Sequence, residues 1–281
     1  MSANRVVPLL RKEPLADAYF LLTFRHAEVA HEARAGQFVM IKAGTSAEPP
    51  LRRPFSVMER EPAEDTFTLF VKAIGPGTRA LAALEPGDLA QCLGPLGRPF
   101  PAPARGTEAL LVAGGYGIAP FHLFTEELRE ADLRSRVFYG GKSARDLQVR
   151  GGFTERGATL VAATEDGSLG HRGLVTAPLE AYLEAAPGPV KLYACGPDAM
   201  LHAMARIAAR RGIEAAVSLD PWMGCGIGTC LGCVIKVQGP AEPRPKNRCA
   251  CTEGPVFDAA TVVWAGEKES EARRRRPEGT A

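Results

Sequence analysis

Five of the chain's seven cysteines, Cys225, Cys230, Cys233, Cys249 and Cys251, lie between residues 225 and 251, while Cys92 and Cys195 stand apart. The spacing Cys225-x4-Cys230-x2-Cys233, with another cysteine downstream, is that of loops that hold a 2Fe-2S cluster. Such a loop must pass its backbone N–H groups close to the sulfides, and Gly224, Gly226, Gly228 and Gly232 remove the Cβ atoms that would obstruct it. A structural zinc site would ask for two knuckles of Cys-x2–4-Cys, and this segment holds one Cys-x2-Cys. Zinc and unligated thiols are the competing readings. Cys249 and Cys251 follow the same turn, so spacing leaves the fourth ligand open between them, the other serving as a small buried hydrophobe. Crowding this late in the chain does not suit disulfides that staple a whole secreted protein.

Two further segments suit nucleotide chemistry. Ala109–Ala113 is a continuous apolar run that breaks into Gly114-Gly115-Tyr116-Gly117-Ile118-Ala119-Pro120. A glycine turn between a buried strand and a helix start presents N–H groups and a helix dipole to a pyrophosphate. Pro120 stands where a dinucleotide fingerprint wants its third glycine, so that motif is half matched, and a purely structural turn competes with it. Tyr193-Ala194-Cys195-Gly196-Pro197 is a second strand end opening a helix. Both turns belong at the carboxyl edge of one sheet, where ligands bind. Cys195 has no His or acidic partner in its motif, which speaks against a nucleophile and for a soft residue beside a nicotinamide. Earlier, Leu51-Arg52-Arg53-Pro54-Phe55-Ser56-Val57 sets arginines before an aromatic and a hydroxyl, a set that clamps phosphate and faces a flat ring. A charged strand edge with a core Phe is its plainer reading.

These residues need three scaffolds. Up to about residue 100, Phe20–Phe24, Phe38–Ile41 and Phe67–Val71 read as short strands between turns such as Pro86-Gly87-Asp88, as in a small antiparallel barrel. After the linker Pro101-Ala102-Pro103 the rhythm becomes strand, turn, helix. Strands are expected at Ala109–Ala113, Arg136–Tyr139, Thr159–Ala163 and Val190–Ala194, with one helix carrying Phe121, Phe124 and Leu128 and another ending at Arg211 before Gly212. Strands alternating with helices imply a parallel sheet. The expected division is 1–101 barrel, 102–215 α/β unit, 216–265 cysteine domain and 266–281 disordered tail. Arg273–Arg276 in that tail read as a solvated terminus.

With 34 Lys+Arg against 32 Asp+Glu, a net charge of +2 gives no electrostatic case for nucleic acid or an anionic membrane. Met1–Leu10 has no apolar core of a secretory signal, and Ala109–Thr125, the longest run without a charge, is too short and glycine-broken to span a bilayer. A soluble, cytoplasmic protein with reduced thiols is the expectation.

Taken in order, the motifs resemble the ferredoxin–NADP reductase superfamily and, more narrowly, the electron-transfer subunits of NAD-linked dihydroorotate dehydrogenases. The resemblance runs from about Val6 to Trp264. Its most specific parts are Met223–Cys233 and Cys251-Thr-Glu-Gly-Pro-Val-Phe-Asp258. It implies an antiparallel FAD-binding barrel, a parallel-sheet nucleotide domain and a small C-terminal 2Fe-2S domain. It implies FAD at Arg53, Pro54, Phe55 and Ser56, at Phe70, Val71 and Lys72, and at Gly77 and Thr78. NADH falls to Gly114, Gly115, Gly117, Cys195, Gly196 and Pro197, and the cluster to Cys225, Cys230, Cys233 and Cys251, with Cys249 the departure from the family pattern. Thr164–Thr176 also resembles the family's nucleotide domain. The resemblance further implies NADH oxidation with electrons passed to an FMN-containing catalytic subunit that forms orotate from dihydroorotate, in a heterotetramer. A reductase serving another acceptor (an oxygenase, a ferredoxin or a sulfide-type system) and a zinc-stabilised binding module are the alternatives. Lys142, Ser143 and Arg145 would suit the 2′-phosphate of NADPH, with no acid directly at that strand end to favour NADH.

Overall fold

A half-buried strand turns alternate residues inward, and Arg5–Pro14 does so by burying Val7 and Leu9. This computed structural model describes residues 4–44, 51–185 and 188–264. The first strands are β1 (Arg5–Pro14), β2 (Tyr19–Arg25), β3 (Phe38–Ala43), β4 (Arg53–Ser56), β5 (Glu59–Glu61), β6 (Thr66–Lys72) and β7 (Leu89–Leu96). They form one curled antiparallel sheet in the order β4-β3-β7-β1-β2-β6-β5, whose β4 edge curls back toward β6. Helix α1 (Ala27–Glu32) buries Val29 and Ala30 against it, and α2 (Pro76–Ala82) follows β6.

The next elements are β8 (Glu108–Gly114), α3 (Ala119–Glu130), β9 (Ser135–Gly141), β10 (Thr159–Thr164), β11 (His171–Arg172), α4 (Thr176–Ala185), β12 (Val190–Cys195), α5 (Asp198–Arg211) and β13 (Ala215–Ser218). The chain ends its described part with β14 (Val234–Val237), β15 (Lys246–Cys249), α6 (Ala250–Glu253) and β16 (Val256–Asp258). The second sheet runs β11-β10-β9-β8-β12-β13-β16, parallel except for its last pair. β8 is buried on both faces, as its unbroken apolar run requires. Phe121, Phe124 and Leu128 of α3 all turn inward, and α5 buries Leu201, Met204, Ile207 and Ala208 before Gly212 (φ +64°) ends it.

One hydrophobic cluster runs from the curled sheet into this face of the parallel sheet. Phe100 stacks on Phe121 and Phe124 at 5.5 and 5.1 Å, and the Tyr193 hydroxyl donates to the Pro101 carbonyl at 2.7 Å. The linker is therefore pinned rather than a free hinge; burying one such Phe stabilises by about 1.5–3 kcal/mol.

The parallel sheet gains an element that sequence reasoning did not anticipate. β16, from the cysteine-rich segment, pairs antiparallel with β13 and covers its edge. Three residues carry no readable period, which is why this strand escapes a sequence reading. The division expected at 215/216 falls within β13. The expected tail, 266–281, lies outside the described residues. Among the described residues no helix is long and apolar enough to cross a membrane.

Candidate functional site

The cysteine loop gathers its thiols on the curled sheet. Cys233 and Cys251 are 2% and 1% exposed and pack with Phe38, Met40 and Leu93 of the barrel, together with Met223 and Ala250. Cys225 and Cys249 are half-buried and Cys230 is exposed. Backbone amides point at sulfur: Ile227 and Cys230 donate to Cys225 Sγ at 3.4 Å, Gly228 to Cys251 Sγ at 3.2 Å, and Gly232 to Cys230 Sγ at 3.4 Å. Desolvation opposes the Cys225 thiolate, yet the amides of Cys230 and Ile227 outweigh it and lower that thiol to about 7. Burial and the neighbouring Cys233 thiol raise Cys251 to about 12. Among the described residues no three His, Cys, Asp or Glu converge as they would on a single metal ion. Backbone amides aimed at several cysteine sulfurs suit an iron–sulfur cluster, whose properties are set by hydrogen bonds to its sulfurs.

The two glycine turns meet at the carboxyl edge of the parallel sheet. β8 and β12 are adjacent, with Ala113 opposite Cys195. A Cβ on Gly117 would collide with the Cys195 carbonyl oxygen, so the turns touch backbone to backbone and only glycine fits there. Pro197 and Gly196 in turn pack against Gly114. Cys195 is half-buried; burial and nearby Asp220 push its thiol up to about 12, so it stays neutral. A thiol raised in this way is a poor nucleophile.

Arg53, Pro54, Phe55 and Ser56 form β4, all half-buried, paired with β3 so that Phe38 faces Ser56 and Met40 faces Pro54. The Arg53 guanidinium donates to the Leu51 and Arg52 carbonyls at 3.0 and 3.2 Å. Its stem and Nε lie over Gly77, where a Cβ would come within 3.2 Å of Nε. Thr78 Oγ1 accepts from the Ile74 and Gly75 amides at 3.0 and 2.9 Å, fixing the start of α2. Arg53 and the Gly77–Thr78 turn are thus one constellation, brought together by the curl of β4 toward β6. The side chains of Phe70 and Val71 are buried in the core, so β6 offers a ligand its backbone and Lys72.

Beside Lys72, which the resemblance assigns to FAD, lie two residues that sequence reasoning missed, Tyr19 and Asp146. Lys72 lies 4.5 Å over the Tyr19 ring and 3.5 Å from Asp146 Oδ1, joining the barrel to the loop after β9. The Tyr19 hydroxyl and Asp146 hold its ammonium above the ordinary lysine range. Tyr116 is half exposed within the glycine turn, its phenol raised by burial and by Asp220. The loop after β10 is bound to the loop after β9: the Glu165 and Asp166 amides donate to Gly141 and Lys142 carbonyls, both at 3.1 Å, and Ala144 N donates to Ser168 Oγ at 2.8 Å. This brings the Asp166 backbone beside Lys142, while its carboxylate accepts from Ser168 N and Oγ at 2.9 and 2.6 Å. Arg145 reaches the other way, to Asp17 at 3.5 Å. Tyr116 lies inside the glycine motif, and Asp166 and Ser168 inside the Thr164–Thr176 segment; Tyr19, Asp146 and Asp220 are set by tertiary pairing.

Two family models match this chain: the oxidoreductase FAD-binding domain over residues 7–100, and the iron–sulfur cluster binding domain of dihydroorotate dehydrogenase B over residues 220–263. The dihydroorotate dehydrogenase B (NAD(+)) electron transfer subunit of Desulforamulus reducens is 34% identical over 245 residues, covering 87% of this chain and 92% of that protein. The corresponding subunit of Bacillus caldolyticus is 38% identical over 252 residues, 89% and 94% of the two chains. Among solved structures, a chain of an NADH-dependent reduced ferredoxin–NADP oxidoreductase superposes with a TM-score of 0.81 at 29% identity, over 98% of this chain and 96% of that one. The ferredoxin reductase of carbazole 1,9a-dioxygenase shares the fold, with a TM-score of 0.64 at 22% identity, over 75% and 66%.

Proposed function

Because the chain belongs to the family of dihydroorotate dehydrogenase B electron-transfer subunits, we propose that it oxidises NADH and delivers the electrons to an FMN-containing catalytic subunit that converts dihydroorotate to orotate. It acts in pyrimidine biosynthesis in the cytoplasm, within a heterotetramer. Hydride acceptance by FAD and one-electron passage by a 2Fe-2S cluster are the chemistry these groups supply when bound.

The residues divide that work by position. Arg53, over Gly77 and beside Thr78, holds the FAD phosphates, while Pro54, Phe55, Ser56 and the backbone of Phe70, Val71 and Lys72 line the flavin. Gly114, Gly115 and Gly117 hold the NADH diphosphate; Cys195, as a neutral thiol, lies at the nicotinamide with Gly196 and Pro197. Cys225, Cys230, Cys233 and Cys251 hold the cluster. Cys251 is preferred to Cys249 because it is buried with Cys233 and accepts the Gly228 amide, whereas the Cys249 amide is turned to Glu253. Met40 carries the proposal: it touches the loop at Gly226 and pairs across the sheet with Pro54. The cluster loop thus rests on the face of β3, the strand paired directly with the flavin strand β4. Around exposed Cys230, the side chains of Trp222, Ile227 and Leu231 are 93%, 55% and 63% exposed, an apolar face suited to the catalytic subunit.

Visible spectra of anaerobically purified protein test the cofactors: flavin bands with 2Fe-2S absorption support the proposal, and a colourless zinc protein overturns it. Co-purification with a dihydroorotate-oxidising flavoprotein, and loss of NADH-linked orotate turnover without it, test the acceptor. The similarity to a reduced ferredoxin–NADP oxidoreductase chain favours one second reading, a reductase serving another acceptor. Faster electron delivery to ferredoxin than to the dihydroorotate-oxidising partner would establish that reading instead.

A further inference from the structure

Cys249 is the one thiol of the cysteine segment without a role in the assignment above, and it does not point away. β14 and β15 pair with Val234 opposite Cys249, which sets Cys249 beside the residue that follows Cys233. The Ala250 amide donates to the Cys233 carbonyl at 3.1 Å, so residues 249–251 wrap around Cys233. Cys249 packs on the same cluster of Cys233, Ala250 and Cys251. Two candidate donors, two residues apart, therefore flank Cys233.

They differ in support. Cys251 is buried in α6 and accepts an amide from Gly228. Cys249 ends a strand, is half-buried, and its amide donates to Glu253 Oε1 at 3.3 Å rather than to a sulfur. This ranks them as resting and reserve donors.

We propose that Cys249 is a reserve iron ligand, able to take the place of Cys251 at the cluster without rearrangement of the loop. The exchange is a ligand substitution: one iron–sulfur bond to Cys251 breaks, one to Cys249 forms, and the thiol proton passes from Cys249 to Cys251, with no change of oxidation state. It rests on the cluster reading above, and its failure is distinguishable from failure of that reading, because the unsubstituted chain reports the latter.

The test compares the full chain with C249S, C251S and the double variant, each reconstituted anaerobically with iron and sulfide. Iron and sulfide content, the visible spectrum and the electron paramagnetic resonance of the reduced cluster are read, with bound FAD as the fold control. The expected result is a normal cluster in C249S, a retained cluster with shifted visible bands and resonance in C251S, and loss of the cluster in the double variant. Retention in the double variant would mean that an introduced serine or another group serves, and it overturns the proposal. So does loss of the cluster in C251S, whether FAD is kept or lost with it, because a reserve ligand must rescue that variant.

Discussion

Met40 and Gly226 meet where the cysteine loop rests on the barrel: a Cβ on Gly226 would lie 2.5 Å from Met40 Cγ, and Gly226 holds φ at +78°. Met40 is fully buried and held by strands on both sides, so it cannot yield easily. Gly226→Ala therefore combines overpacking, about 1–3 kcal/mol, with a left-handed backbone cost of about 1–2 kcal/mol. The expected outcome is a chain that keeps FAD and loses most of its 2Fe-2S content, read from the visible spectrum. Full cluster content in this variant would mean that the loop docks elsewhere.

Arg53 should govern FAD affinity. A hydrogen bond to a charged group contributes about 1.5–3 kcal/mol, and each 1.4 kcal/mol is a factor of about ten. Arg53→Ala is expected to raise the FAD Kd about 10- to 100-fold in titrations of the apoprotein. Arg53→Lys should recover part of this, because it keeps the charge and loses the planar fork. An unchanged Kd would remove Arg53 from the phosphate site.

Gly117 makes the closest approach of the two nucleotide turns, with its hydrogen facing the Cys195 carbonyl. Backbone meets backbone there, so Gly117→Ala must part the turns rather than rotate a side chain. NADH-driven flavin reduction should fall by at least about tenfold, equivalent to about 1.4 kcal/mol. FAD content should hold, since α2 and β4 are untouched. Stopped-flow reduction at saturating and subsaturating NADH separates weakened binding from slowed transfer.

The parts legible in the sequence are those written in local patterns. The Cys225-x4-Cys230-x2-Cys233 spacing, the glycine turn after Ala113, and the Arg53–Ser56 strand all report backbone demands that a few neighbouring residues must satisfy. The apolar run of β8 and the inward face of α3 are local in the same sense. β16 is illegible because three residues have no period, and its place follows from pairing with β13. Asp166 is illegible as a neighbour of Lys142 because a parallel register, Thr164 opposite Gly141, puts it there. The contact of Met40 with Gly226 spans most of the chain, and no spacing rule reaches that far.

His122 and Glu59 give a pH dependence whose sign can be worked out. His122 is 2% exposed and its Nε2 lies 2.9 Å from the Val149 carbonyl; a carbonyl only accepts, so Nε2 carries the hydrogen. Nδ1 faces Glu59 Oε1 at 3.6 Å, and Arg156 donates to the same carboxylate at 2.9 Å, joining β5 to α3 and the loop before β10. The His122 ring and the Arg156 guanidinium facing this carboxylate outweigh desolvation, so the Glu59 carboxyl is held below its ordinary 4.5. A depressed carboxyl takes up its proton more readily in the unfolded chain. Its stabilisation is therefore complete above 4.5 and is lost as pH falls through the lower folded value. The Glu59 side chain keeps 37% exposure, so screening limits the effect to about 1 kcal/mol or less. Urea unfolding of the native chain and of Glu59→Gln should differ by that amount at neutral pH and converge in acid. A difference that stays constant into acid would show that Glu59 acts by packing rather than by charge.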